Sequence, residues 1–114
     1  MLLLCRFAVD PADASAFLDR GRRALELLTA AEGALDGRLG RAVDDPLSAD
    51  GAQRWVLAVR FASVDAYRRA LSPFPVREHV VPLLSEALAD EPATYETLVD
   101  AAGGAAVEFP SLRA

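Results

Sequence analysis

The sequence predicts a single α+β domain with the element order βαββαβ. Three observations carry that prediction. Short apolar runs of strand length lie at both ends of the first hundred residues. Two segments have apolar positions at helical spacing, and proline or glycine punctuation falls at nearly every junction between them. At 114 residues and 12.1 kDa the chain has room for one domain, with residues 1–100 forming it and 101–114 a weakly specified C-terminal tail.

Leu2 to Val9 is an apolar run that Asp10-Pro11 stops, offering a helix N-cap followed by proline in the first turn. Through Ala31, Ala14, Phe17, Leu18, Gly21, Leu25 and Leu28 recur at three- and four-residue spacing, with Asp19, Arg20, Arg22, Arg23 and Glu26 mostly on the other side. Gly33 supplies the left-handed residue after this helix, and Leu35, Leu39 and Val43 mark a second strand. Asp44-Asp45-Pro46 and Asp50-Gly51 read as a hairpin connection into the clearest strand, Arg54 to Phe61, where Trp55, Leu57, Val59 and Phe61 alternate with Arg54, Val56, Ala58 and Arg60. Ser63 caps a helix through Tyr67 and Leu71, and Ser72-Pro73-Phe74-Pro75 breaks it. Helix resumes near Val76 and must kink or restart at Pro82. After the turn at Asp90-Glu91-Pro92, Thr94 to Val99 is the last strand. Gly103-Gly104 among small residues leaves the tail mobile unless a partner orders it.

This order is ferredoxin-like: an antiparallel sheet with strands 4-1-3-2 and both helical regions on one face. Leu3, Cys5, Phe7, Trp55, Leu57, Val59 and Phe61 then lie under the helices, while Leu2, Leu4, Arg6, Val56, Ala58 and Arg60 form the opposite face. An apolar sheet face does not stay in water, so the expected remedy is a homodimer through the sheets. Arg6 and Arg60 should sit close together there, with Glu96 and Asp36 as their carboxylate partners.

Composition narrows the function. A net charge of −5 repels phosphate backbones and anionic lipid surfaces, which argues against nucleic acid and membranes as partners. No apolar run reaches the roughly 20 residues of a membrane span, and Leu2-Leu3-Leu4-Cys5 has no basic region before it, so no signal peptide is expected. The lone Cys5 fits a reducing, cytoplasmic setting. All basic residues are Arg, and Lys, Ile and Asn are absent, a coding bias and not a functional signature. One His and one Cys cannot build a zinc site, no serine sits in a nucleophile elbow, and the glycines form neither a phosphate loop nor a dinucleotide fingerprint.

Taken together, several segments resemble the antibiotic biosynthesis monooxygenase-like proteins, which are dimeric α+β barrels. They are the first strand Leu3-Leu4-Cys5-Arg6-Phe7, the Gly33–Arg41 segment, Trp55 to Phe61 leading into Ser63-Val64-Asp65-Ala66-Tyr67, the stretch Ser72 to His79, and Tyr95-Glu96-Thr97-Leu98. The resemblance is one of element pattern, and it implies a cofactor-independent monooxygenase of secondary metabolism acting on a small aromatic or phenolic substrate. The alternative is a non-catalytic dimeric barrel that binds a small apolar ligand or another protein. Haem-degrading proteins of similar fold use an asparagine on the first strand and a tryptophan on the second helix. This chain has no Asn and carries Ala70 near the tryptophan's place, so haem is not expected.

Oxygenating a phenol without a cofactor needs a base, a donor for the developing oxygen anion and a dry aromatic wall. His79, the only histidine, is the candidate base, Tyr67 the phenolic hydroxyl and Arg60 the stabilising charge, with Trp55, Phe61 and Phe74 as substrate-binding aromatics. Each also has a plainer role. Trp55 and Phe61 alternate as core positions, Tyr67 follows helix spacing to Leu71, and His79 suits a structural imidazole.

Overall fold

The computed structural model describes residues 1–44 and 50–113. Strand β1 (Leu2–Val9) leads through a 3₁₀ turn (Pro11–Asp13) into α1 (Ala14–Thr29), β2 (Ala34–Arg41) and β3 (Gln53–Phe61). Helices α2 (Val64–Ala70), α3 (Phe74–His79) and α4 (Val81–Leu84) precede β4 (Thr94–Tyr95), β5 (Val99–Ala102) and β6 (Ala105–Glu108). The first four strands form one antiparallel sheet in the order β2-β3-β1-β4, which is the ferredoxin-like arrangement. The turn expected at Asp45-Pro46 lies outside the described residues.

Period-two alternation decides the faces. Leu3, Cys5, Phe7 and Val9 of β1 pair in register with Val59, Leu57, Trp55 and Gln53 of β3, and their apolar side chains are buried beneath the helices. Phe17, Ala24 and Leu28 of α1 and Val76, Val80 and Leu83 of the later helices close this core from above. Asp10 caps the 3₁₀ turn by accepting from the Ala12 amide at 2.9 Å, and Ser63 Oγ accepts from the Ala66 amide at 3.0 Å to start α2. Pro82, without an N–H, ends the α3 ladder and sits in the first turn of α4. Among the described residues no helix is long and apolar enough to cross a membrane.

Four expectations need correction. Leu35 is half exposed because a bulge between Ala34 and Asp36 shifts the alternation of β2, leaving Gly37 and Leu39 against α1, and Val43 is almost fully exposed because β2 has already ended at Arg41. The last sheet strand is Thr94–Tyr95 and does not continue to Val99, because Tyr95 already pairs with Leu2 and β1 has no further length to offer. Segment 101–114 contains strand structure: Gly103 and Gly104, with φ of 60° and 83°, make the two-residue turn of a β5–β6 hairpin. Finally, Arg6 and Arg60 are not neighbours. Arg60 pairs with Leu2 and Arg6 with Val56, so four residues, or about 13 Å, separate them along the strand.

Arg60 does find Asp36. Its Nε and Nη2 donate to the two carboxylate oxygens at 2.9 and 2.6 Å, and Nη1 donates to Asp100 of the hairpin at 3.2 Å. Arg6 pairs with Asp90 at 2.8 Å and Glu91 at 3.6 Å, and not with Glu96.

Candidate functional site

The six residues singled out from sequence do not converge. Trp55 and Phe61 are both buried on the helix side of β3, but six residues of strand put them about 20 Å apart. Trp55 meets Phe17 edge-on at 5.2 Å, and its Nε1 donates to Gln53 at 3.2 Å. Arg60 faces the other side of the sheet, held by Asp36. Phe74 begins α3 two-thirds exposed. His79 ends α3 with its side chain about half exposed, 3.8 Å from Glu78. Phe61 and Tyr67 alone come together, ring centroids 5.5 Å apart at 64°.

Of the two, Phe61 is buried and Tyr67 also lines a recess. Ser63 starts α2 so that Tyr67, one turn in, lies against the end of β3. β4 stops after two residues, and the gap beside it opens as a recess of about 330 Å³ lined by Met1, Val64, Tyr67, Arg68, Thr94, Tyr95, Glu96, Leu112 and Arg113. A second recess of about 270 Å³ shares Met1, Val64, Glu96 and Leu112 and extends it toward Ser63 and Phe109. The two form one groove between α2, β4 and the C-terminal segment.

Burial pushes the Tyr67 phenol above its ordinary value, so the hydroxyl is a donor at neutral pH. Tyr95 Oη donates to the Pro92 carbonyl at 2.7 Å. Glu96 is held below the usual carboxylate range by hydrogen bonds from the Leu112 amide at 2.7 Å and the Ser111 hydroxyl at 2.8 Å, so both of its oxygens are engaged. Sequence reasoning named Tyr67 but missed Met1, Tyr95, Leu112 and Arg113. The groove depends on where the tail runs, and residues 109–113 carry no periodic signal of their own.

No protein-family model matches the chain, and no curated protein matches its sequence. Solved structures do match. A conserved protein from Methanosarcina mazei superposes with a TM-score of 0.61 at 18% identity, covering 79% of this chain and 82% of that one. A candidate antibiotic biosynthesis monooxygenase from Nitrosomonas europaea gives 0.59 at 14% identity over 97% of both chains. SnoaB from Streptomyces nogalater, a cofactor-independent oxygenase, gives 0.55 at 22% identity over 76% of this chain and 82% of its own. The chain has the fold of the antibiotic biosynthesis monooxygenase-like proteins. At these identities the likeness speaks for architecture, and activity rests on the site.

Proposed function

We propose that the chain is a cofactor-independent, monooxygenase-like protein of secondary metabolism that takes a small electron-rich phenol into the Tyr67 groove. The observation that carries this reading is the half-buried Tyr67 on a largely apolar recess of about 330 Å³, the size of a small-ligand site. The fold shared with SnoaB supports it.

The chemistry asked of the residues is modest. The proton of a substrate phenol in this groove, which Arg68 and Arg113 line together with Glu96, leaves to water. The electron-rich ring carbon attacks dioxygen, forming a C–O bond, and Tyr67 donates to the oxygen that gains charge. Cleavage of the O–O bond with loss of water leaves a carbonyl: a ring CH₂ plus O₂ gives C=O plus H₂O. His79 and Arg60 do not line the groove, so this reading gives them no part in the step.

The test is oxygen uptake with anthrone- and naphthol-type phenols, with product analysed for one carbonyl per dioxygen consumed. Turnover should fall roughly a hundredfold in Tyr67→Phe and stay unchanged in His79→Ala. Equal rates in the parent and Tyr67→Phe, or loss of turnover only in His79→Ala, would overturn the assignment. The helix–sheet core favours a second reading, a non-catalytic dimeric barrel that binds a small apolar ligand elsewhere or serves as an interaction module, because Leu57, Val59, Val80 and Leu83 are fully buried and leave no reaction chamber between the layers. Saturable phenol binding without oxygen uptake would establish that alternative.

We also propose a cytoplasmic homodimer joined through the helix-free sheet face. Leu2, Leu4, Val56 and Ala58 stay partly exposed there, between the Arg6 and Arg60 ion pairs. The radius of gyration, 15.1 Å, exceeds the roughly 13 Å of a compact chain of this length, as expected when a hairpin stands off the body. Sedimentation should give twice the chain mass for the parent and the single mass for Val56→Glu; a monomeric parent would refute the dimer.

A further inference from the structure

The β5–β6 hairpin has little of its own body around it. Each strand has four residues, every one of them except Asp100 is exposed, and Val99 and Val107 are each more than half open to solvent. A two-stranded ribbon standing alone is marginal in water. Its register puts Asp100, Ala102, Ala105 and Val107 on one face and Val99, Ala101, Ala106 and Glu108 on the other. The first face overhangs the helix-free side of the sheet: its residues and neighbouring Ala101, together with Asp36, Arg38 and Arg60, line a cleft of about 600 Å³. Asp36 engages Nε and Nη2 of Arg60, which leaves Nη1 to donate to Asp100 at 3.2 Å, the hairpin's one ion pair among the described residues.

We infer that this hairpin is a clasp for a second copy of the chain: part of the partner enters the cleft between the hairpin and the sheet, and Arg60 sets the angle at which the hairpin waits. The inference rests on the dimer through the helix-free faces proposed above and adds the element that completes it. That face supplies four outward positions on β1, four on β3 and three on β2, about half of the roughly 20–30 residues a stable interface takes from each partner. The eight residues of the hairpin bring it close to that size. The two surfaces are continuous, since both line the one cleft, so a sheet laid over Val56 and Ala58 meets Ala102, Ala105 and Val107 as well. The charges of the cleft cancel, Arg38 and Arg60 against Asp36 and Asp100, so it suits a neutral, apolar occupant. Alanine at three of the four positions of the last turns lets another backbone come close. In a twofold dimer the exchange is reciprocal, each copy clasping the other.

The experiment is sedimentation equilibrium over a dilution series on the full chain and on Val107→Glu, Asp100→Ala and Ala106→Glu, with hydrogen exchange at the hairpin amides above and below the dissociation constant. Val107→Glu puts an unpaired charge on the cleft face and should weaken the dimer at least about tenfold. Asp100→Ala leaves the sheet face intact and releases only the tether, so it should weaken the dimer about three- to tenfold. Ala106→Glu, on the hairpin's other face, should change it by no more than about twofold. The hairpin amides should exchange slowly in the dimer and fast in the diluted monomer. A dimeric parent indifferent to Val107→Glu and Asp100→Ala, or equally weakened by Ala106→Glu, would overturn the clasp and leave the sheet-to-sheet dimer standing. Amides fast in the dimer would do the same, and so would amides slow in both states, which would mean that the hairpin closes on its own body. A parent that stays monomeric would overturn the clasp and the dimer together.

Discussion

Replacing Gly33 with alanine tests the joint that sets α2, and with it Tyr67, against the sheet. Gly33 has a φ of 89°, and a Cβ added there would lie 2.6 Å from the Cβ of Ala66. A left-handed conformation costs a non-glycine residue about 1–2 kcal/mol. Ala66 is fully buried in α2, and its Cβ cannot rotate away, so relieving the contact means moving the helix, an overpacking cost of about 1–3 kcal/mol. The stiffer unfolded chain returns about 0.4–1 kcal/mol. The expected net loss is therefore about 1–4.6 kcal/mol. Urea unfolding monitored by Trp55 fluorescence should show a lower midpoint at unchanged slope. The same substitution in an Ala66→Gly background separates the two causes. With the methyl gone, Gly33→Ala should cost about 1–3 kcal/mol less, whatever Ala66→Gly itself costs as a helix substitution. A Gly33→Ala protein within about 0.5 kcal/mol of the parent would refute both the backbone and the contact argument, and an equal cost in the two backgrounds would refute the contact alone.

Leu57 is fully buried at the centre of β3, so Leu57→Ala should lose about 2–5 kcal/mol in the same urea assay, the range spanning how far the site can collapse. Arg20 holds Glu86 below the ordinary carboxylate range, so their pairing stabilises the fold above that range and its contribution disappears as pH falls through the lowered value. Both side chains are about half exposed, which limits the effect to under about 1 kcal/mol, and the difference in stability between the parent and Glu86→Gln should vanish in acid. Burial raises the Tyr67 phenol, so its stabilising effect is complete below the ordinary tyrosine range and lost as pH rises through the folded value; ultraviolet titration should show one phenol ionising late, and that component should be missing in Tyr67→Phe.

The elements with the strongest patterns were legible without coordinates. Alternation in β1 and β3 identifies which side chains enter the core, and the caps at Asp10 and Ser63 mark the helix starts, because each follows from local chemistry. What sequence did not reveal depends on relations between distant segments. The bulge at Ala34–Asp36 moves Leu35 outward, and the end of β1 at Leu2 leaves Glu96 without a strand partner. Glu96 looked like a mate for an arginine, yet it binds the backbone of a tail sixteen residues later. Of the groove's lining only Tyr67 was legible, because Ser63 starts the helix that carries it. Asp36, one of two carboxylates expected to serve the arginines, meets Arg60 because they sit across neighbouring strands, whereas Arg6 took loop carboxylates that no strand register announces.

The brevity of β4 has one more effect. Along the rest of its outer border, β1 is met by irregular chain: the Leu4 amide donates to the Ala93 carbonyl and the Leu88 amide to the Arg6 carbonyl, both at 2.7 Å, while Arg6 grips Asp90 above them. The opposite margin, β2, is bent by its bulge and studded with Arg38 and Arg41. Neither rim offers a flat ladder on which foreign strands could stack, so this apolar layer is guarded against runaway polymerisation into fibres.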